Sequence, residues 1–129
     1  MTWQDAALTM AGVIGGATAV VHGILVHRLM VRPMEAVLVA DARLSAPIRR
    51  LVPPLLQFST YAWLLGGLAL IASPWFAPDA RLTTGLIVGS LYLFGTVANC
   101  WGTRGRHPGW MLMAAALILI VAGLFRTGG

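Results

Sequence analysis

The sequence predicts an all-α integral membrane bundle of four transmembrane helices, and three observations support this fold class. Of the 129 residues, 58% are hydrophobic and only 10% are charged, whereas roughly a quarter of the residues of a soluble domain are charged. The mean hydropathy is +0.81. Four apolar segments are separated by short stretches that hold nearly all of the charged residues. We therefore expect one four-helix transmembrane domain over residues 1–129.

A helix that crosses a bilayer needs about 20 mostly apolar residues, within a range of roughly 17–25, and four segments meet this requirement. They are Ala6–Val31, Leu51–Phe76, Leu82–Trp101 and Pro108–Phe125. The fourth lies at the lower limit of length. The first follows Asp5 instead of a basic region and is longer than the apolar part of a signal peptide, so we expect it to be retained.

Prolines mark the expected helix ends. Pro53–Pro54 are predicted to open the second helix, where a missing N–H costs least, and Pro108 to open the fourth. Between the first two helices, Met34–Leu44 has apolar residues near one side at helical spacing. This pattern is compatible with a short helix on the membrane surface and with an irregular loop.

The distribution of arginine predicts the orientation of the bundle. The first and third connections carry Arg28, Arg32, Arg43, Arg49, Arg50, Arg104 and Arg106. The opposite side carries only Arg81 and Arg126. The positive-inside rule makes the arginine-rich side cytoplasmic. We therefore expect a multi-pass protein of the bacterial inner membrane with both termini in the periplasm.

Small residues on the first predicted helix form two rows. Gly12 and Gly16 form a GxxxG pair, and Gly15, Ala19 and Gly23 form a second row beside it. Such rows let helix backbones approach closely in a membrane. We interpret them as packing surfaces within the bundle, and contacts in a homo-oligomer remain the alternative.

Polar side chains inside the predicted spans are the candidate functional groups, because they are costly to place in lipid. His22 lies about six residues, or roughly 9 Å, inside the cytoplasmic end of its helix, and Gln57 and Asn99 fall at similar depths on theirs. The predicted ligand-binding layer comprises His22, Gln57, Thr60, Tyr61, Thr96 and Asn99. The layer either binds a polar headgroup, quinone carbonyl or substrate, or it joins the helices by hydrogen bonds.

The stretch ANCWGTRGRHPGW, Ala98–Trp110, connects the last two predicted helices. It has no GxxxxGK[ST] pattern and is therefore not a phosphate-binding loop of that kind. Trp101 and Trp110 are spaced as interfacial anchors. The predicted contacts with lipid headgroups are Arg49, Arg50, Arg104, Arg106 and His107.

The sequence offers no constellation typical of catalysis. Its single cysteine excludes an intramolecular disulfide and a CxxC motif. We find no nucleophile beside a base, no cluster of metal ligands, and no pair of histidines at matching depth on different helices for haem. We therefore predict no enzymatic activity, no catalytic or metal-binding residues, no cofactor and no nucleic-acid partner.

Three segments carry a resemblance to other proteins: HGILVHRLMVRPM (His22–Met34), RRLVPPLLQFSTYAW (Arg49–Trp63) and TRGRHPGW (Thr103–Trp110). Together they resemble a family of small uncharacterised bacterial four-helix integral membrane proteins. The resemblance covers most of the chain and implies the same fold, but no reaction. The chain has His27 where that family usually has an acidic residue, and Gln57 where it usually has a histidine. The resemblance therefore implies altered ionisable groups at any shared site.

Two classes of function follow from these features. The first is a non-enzymatic accessory or scaffold subunit of a larger membrane complex, or a protein that binds anionic membrane lipids. The second is a small transporter or lipid translocator that uses the layer of His22, Gln57 and Asn99. Small multidrug transporters share the size and helix number, but they depend on a membrane-embedded carboxylate that this sequence lacks.

Overall fold

The computed structural model describes residues 2–125, and every regular element in that range is helical. The helices are α1 (Trp3–Ala40), α2 (Ala46–Trp75), α3 (Pro78–Gly102) and α4 (Gly109–Leu124). The predicted all-helical bundle is therefore confirmed. By length and composition, α1, α2 and α3 are sufficient to cross a membrane, whereas α4 is a shorter apolar helix of 16 residues. Arg126, counted on the periplasmic side in the sequence, lies outside the described residues.

The four helices pack antiparallel to their neighbours around a common core. α1 packs along α2 and α4, and α3 packs against the other sides of α2 and α4. Gly12 meets Gly67 and Ile71 near the end of α2, whereas Gly23, farther along α1, meets Thr60, which comes earlier in α2. The two helices therefore run in opposite directions. The core cluster includes the fully buried side chains of Leu8, Leu70, Tyr92 and Met113.

Close approach of α1 and α2 depends on two facing glycines. A Cβ atom placed on Gly67 would lie 2.7 Å from the carbonyl oxygen of Gly12, and one placed on Gly12 would lie 2.5 Å from the carbonyl oxygen of Gly67. Gly15 instead faces the ring of Tyr92 on α3. At Gly12 and Gly15, one glycine from each predicted row, these neighbours leave no room for a side chain, so both rows contribute to contacts within the chain.

The first helix does not end at Val31 as the predicted span does. Residues Trp3–Val26 are α-helical, His27–Val31 form one π-helical turn, and Arg32–Ala40 continue the helix. Pro33 explains the turn, because its ring lacks an N–H and displaces the carbonyl one turn earlier. The segment predicted as a separate surface helix or a loop is therefore an extension of α1 up to Ala40, followed by a turn at 41–45.

The second helix begins five residues before its predicted start, and Pro53–Pro54 lie inside it. Pro47 occupies the first turn, the position predicted for Pro53–Pro54. The helix is interrupted at Gln57, between Ala46–Leu56 and Phe58–Ala72, and the N–H of Gln57 bonds to the carbonyl of Pro54 at 3.1 Å. At this point the backbone bonds three residues back instead of four, one turn after Pro53.

The two ends of the bundle differ in charge. At the termini end, the Asp5 carboxylate pairs with the Arg81 guanidinium at 2.6 Å, joining the starts of α1 and α3. We call the opposite end, with the connections 41–45 and 103–108, the arginine-rich end. Counted at 1.5 Å per residue, His22 lies about 26 Å from the level of Asp5, and Asn99 about 27 Å from the level of Arg81. These two polar residues therefore share a level close to the arginine-rich end.

Candidate functional site

A cavity of about 410 Å³ lies between α1 and α4 in the half of the bundle nearest the arginine-rich end. Near the termini end, Leu8 packs directly against Gly123, and a separate pocket of about 600 Å³ there has Asp5 and Arg81 among its lining residues. The residues that line the cavity between α1 and α4 are Val13, Ile14, Ala17, Thr18, Val21, His22, Trp63, Asn99, His107, Pro108, Gly109, Leu112 and Met113. The cavity is apolar along most of its length, and its imidazole and amide groups are confined to the arginine-rich end.

His22 is half-buried and is held by two residues of α2. Its Nε2 lies 3.3 Å from the Ser59 hydroxyl oxygen, and its ring centroid lies 4.6 Å from that of the buried Trp63, with the planes tilted by 47°. Ser59 and Trp63 are four residues apart on one helix, so they present one face to the imidazole. The imidazole is thereby fixed in the wall of the cavity.

Asn99 and His107 complete the polar end of the cavity. The Asn99 amide Nδ2 donates to the carbonyl of Gly95 on its own helix at 2.8 Å. The Nδ1 of His107 accepts the backbone N–H of Gly109 at 3.1 Å. Because Nδ1 accepts this bond, the neutral ring carries its proton on Nε2, which is a hydrogen-bond donor.

Gln57, the third member of the predicted layer, does not line this cavity. Its amide Nε2 donates to the carbonyl of Gly23 at 3.0 Å and so joins α2 to α1. Below it, the methyl group of Thr60 packs on Gly23, and the Thr60 hydroxyl is buried without a hydrogen-bond partner among residues 2–125. Gln57 thus fits the interhelical interpretation of the layer, whereas His22 and Asn99 lie at the cavity.

Tyr61 and Thr96 are also separated from the cavity. The Tyr61 side chain is 61% exposed on the outer side of α2, where it lines a groove between α2 and α3. The Thr96 hydroxyl donates to the carbonyl of Tyr92 within α3 at 2.8 Å. Of the six residues predicted as a ligand-binding layer, the structure therefore brings only His22 and Asn99 together.

The predicted headgroup contacts occupy two places at the arginine-rich end. Arg49 bonds to the carbonyl of Asp41 at 3.0 Å, and Arg50 shares a surface groove with Glu35. The side chains of Arg104 and Arg106 are exposed in the connection to α4.

The end of α3 has the geometry of a Schellman motif. The N–H of Gly105 bonds to the carbonyl of Cys100 at 2.7 Å, and that of Arg104 bonds to the carbonyl of Trp101 at 3.2 Å. Arg104 has a φ of 51° and Gly105 a φ of 73°. The motif turns the chain sharply so that 103–108 reaches the start of α4 beside the cavity.

Three residues at the cavity were not predicted to bind a ligand there. Ser59 and Trp63 were not predicted, although their spacing of four residues puts them on one face of a helix. His107 was assigned to lipid headgroups, but it lines the cavity. Among the described residues, no group of three or more His, Cys, Asp or Glu side chains is arranged to hold a metal ion.

No protein-family model, no curated protein and no solved structure matches the chain. The resemblance noted in the sequence therefore depends on its three motifs alone.

Proposed function

We propose that the chain is an integral membrane protein of the bacterial inner membrane, with all four helices crossing the bilayer. The observation that supports this most is the exposure of large apolar side chains on the outer faces of the bundle, among them Phe94 (72%), Ile118 (69%) and Leu68 (55%). A soluble monomer rarely exposes contiguous apolar surface on this scale. In a bilayer, lipid tails would cover this surface, so that its apolar side chains would not be exposed to water.

The positions of the exposed tryptophans support a membrane-spanning region of the expected thickness. Trp3 and Trp75 are 68% and 81% exposed at the termini end, and Trp101 is 84% exposed at the other end. Leu82 and Trp101 are separated by about 28 Å along α3 at 1.5 Å per residue, close to the roughly 30 Å of a hydrocarbon core. Exposed tryptophan at both ends is typical of membrane–water interfaces. If Leu82 and Trp101 mark the two boundaries, His22 and Asn99 lie less deep below the cytoplasmic boundary than the roughly 9 Å predicted for His22 from the sequence.

Within this membrane protein, we propose the binding of anionic lipid headgroups at the cytoplasmic face. Among residues 2–125 the one ion pair is that of Asp5 and Arg81, at the opposite end. Arg104 and Arg106 are exposed and make no ion pair in that part of the chain. Guanidinium groups bind phosphate oxygens in a bidentate manner. Of the non-enzymatic roles the sequence predicts, lipid binding is better supported by these groups than a scaffold role is.

Lateral access to the cavity favours a second function, that of a small transporter or lipid translocator. Val13, Ala17 and Leu112 line the cavity and are also exposed on the outside of the bundle. A molecule in the lipid phase would reach His22 and Asn99 from the side. A transporter or translocator would have to bind its substrate in this cavity, and a protein that only binds lipid would use the same binding step.

Membrane insertion is tested by alkaline carbonate extraction of cell membranes. We expect the chain to stay in the pellet, because four inserted helices do not depend on surface charge. Release into the supernatant would overturn the membrane assignment.

Headgroup binding is tested by native mass spectrometry of the purified chain. Each arginine near an anionic surface contributes about 1 kcal/mol, so R104Q/R106Q should weaken retention of phosphatidylglycerol or cardiolipin by roughly 30-fold. The charge-conserving R104K/R106K should retain most of the binding, and phosphatidylcholine should show no difference among the three proteins. Equal retention of anionic lipid by R104Q/R106Q and the parent chain would exclude these arginines as the site.

A further inference from the structure

The cavity between α1 and α4 is elongated along α1. It extends from Val13 to His22, which is about 13 Å at 1.5 Å per residue. Its volume of about 410 Å³ lies near the lower end of the roughly 300–1,000 Å³ of small-molecule sites. This shape suits one extended hydrocarbon chain and is too small for the two chains of a phospholipid.

The polar groups of the cavity lie at one end only. His22, Asn99 and His107 line the cavity at the level of the arginine-rich end, whereas Val13, Ile14 and Met113 line it farther along. A ligand that satisfies both parts has a polar head and an apolar tail. Its head would lie at the membrane boundary and its tail would point toward the middle of the bilayer.

The charges around the polar end favour an anionic head. No Asp or Glu is among the described residues that line the cavity. His107 follows Arg104 and Arg106 in the same connection, whereas the acids of this end lie elsewhere, Glu35 in the last part of α1 and Asp41 in the other connection. The Nε2–H of His107 is a donor that the bond to Gly109 leaves free for a carboxylate or phosphate oxygen.

A second groove provides an internal comparison. Between α2 and α3, a groove of about 420 Å³ is lined mainly by Phe58, Tyr61, Leu65, Ile87 and Leu91. It matches the cavity in volume but has neither an imidazole nor an amide among its lining residues. If hydrocarbon alone decided binding, the two spaces would take up the same molecules.

From these features we infer that the cavity between α1 and α4 binds a single-chain anionic amphiphile. The acyl chain lies along α1 from His22 toward Val13, and the carboxylate or phosphate head accepts a hydrogen bond from His107. A fatty acid and a lysophospholipid share this chemistry. The inference depends on the proposed membrane insertion, because the cavity would then open to the lipid phase.

The test uses the full chain in vesicles of phosphatidylethanolamine and phosphatidylglycerol, with a fatty acid that carries a photoactivatable diazirine near its tail. After illumination, mass spectrometry should locate the adducts in residues 13–22 and 109–113. An excess of unlabelled fatty acid or of lysophosphatidylglycerol should compete. The more effective competitor identifies the head, and competition by neither overturns the inference.

Two pairs of variants make the test specific. Ala17→Phe fills the cavity from an exposed position and should reduce labelling roughly tenfold or more, whereas Ala62→Phe in the groove between α2 and α3 should leave labelling of the cavity unchanged. His107→Gln should weaken competition by the acid about two- to tenfold, the effect of one hydrogen bond, but not competition by its methyl ester. His27→Gln removes an exposed histidine at the same end and should have no effect.

Several results would overturn the inference. One is equal labelling of the cavity and the groove between α2 and α3, and another is competition by the methyl ester as strong as by the acid. A chain that stays in the membrane after carbonate extraction but is not labelled in the cavity would refute this inference alone. A chain released by carbonate would refute the proposed function instead.

Discussion

The contact between Gly12 and Gly67 leads to the sharpest prediction about stability, with Gly16 as its matched control. A Cβ atom on Gly67 would lie 2.7 Å from the Gly12 carbonyl oxygen and 2.9 Å from the Gly16 nitrogen. Both neighbours are backbone atoms, so relief requires α1 and α2 to move apart. A Cβ atom on Gly16 would meet nothing within 4 Å.

The expected magnitude follows from comparing Gly67→Ala with Gly16→Ala. Both substitutions replace glycine by alanine inside a helix and therefore share a propensity gain of roughly 1 kcal/mol. This contribution cancels in the difference. What remains is the cost of overpacking, typically about 1–3 kcal/mol. We expect Gly67→Ala to be less stable than Gly16→Ala by that amount, with Gly16→Ala equal to the parent chain or more stable.

Reversible unfolding of the purified chain in mixed micelles, with increasing mole fraction of sodium dodecyl sulfate, measures this difference. Tryptophan fluorescence reports the loss of the bundle, and far-UV circular dichroism reports the helices. Gly12→Ala, whose Cβ would lie 2.5 Å from the Gly67 carbonyl oxygen, should behave like Gly67→Ala. Equal free energies of unfolding for Gly16→Ala and Gly67→Ala would refute the argument that these backbones are in contact.

Three further predictions concern orientation, the polar layer and the turn after α3. In a Cys100→Ala background, a membrane-impermeant maleimide added to spheroplasts should modify the cysteine of an Ala77→Cys variant but not that of a Ser45→Cys variant. Modification of the Ser45→Cys variant alone would show that the topology is the reverse of the proposed one. Gln57→Leu should lower the free energy of unfolding by about 0.6–1.7 kcal/mol, because it breaks the interhelical bond to Gly23. Thr96→Val should lower it less, because the bond of Thr96 lies within α3. A larger loss of stability for Thr96→Val than for Gln57→Leu in micelle unfolding would contradict the assigned bonds. Arg104→Gly should raise the free energy of unfolding by about 1 kcal/mol, because glycine adopts the left-handed conformation without strain. Arg104→Gln, which keeps a side chain in that conformation, should give no gain in stability. An equal change for both variants would show that the backbone conformation of Arg104 does not affect stability.

Much of the architecture follows from the sequence because hydropathy is a sum over residues. Each apolar residue adds to the free energy of transfer into an apolar environment wherever its neighbours lie. The four helices were therefore predictable, with ends within a few residues at Gly102 and Leu124. The predicted ends that differ most, Val31 and Leu51, each lie two residues before a proline. A proline is compatible with a helix start, a kink or a π-helical turn, so the sequence does not distinguish these.

The depth of a polar residue follows from counting along its helix, but the direction in which its side chain points does not. His22, Gln57 and Asn99 were predicted as one layer, and the counts along α1 and α3 agree for His22 and Asn99. The amide of Gln57 donates to the carbonyl of Gly23 and does not line the cavity. His107, which looks like a surface residue in the sequence, is brought to the cavity by the turn at Arg104 and Gly105.

By itself, then, the sequence determined an apolar all-helical chain, the approximate extent of each helix and the concentration of arginine at one end. Only the tertiary structure decided which polar groups share a cavity and which form bonds between helices. The physical reason is that rotation of each helix about its axis depends on contacts across the bundle, such as the approach of Gly12 to Gly67 and of Gly15 to Tyr92. Those contacts depend on how the surfaces of two helices fit together. The composition and periodicity of one segment do not determine that fit.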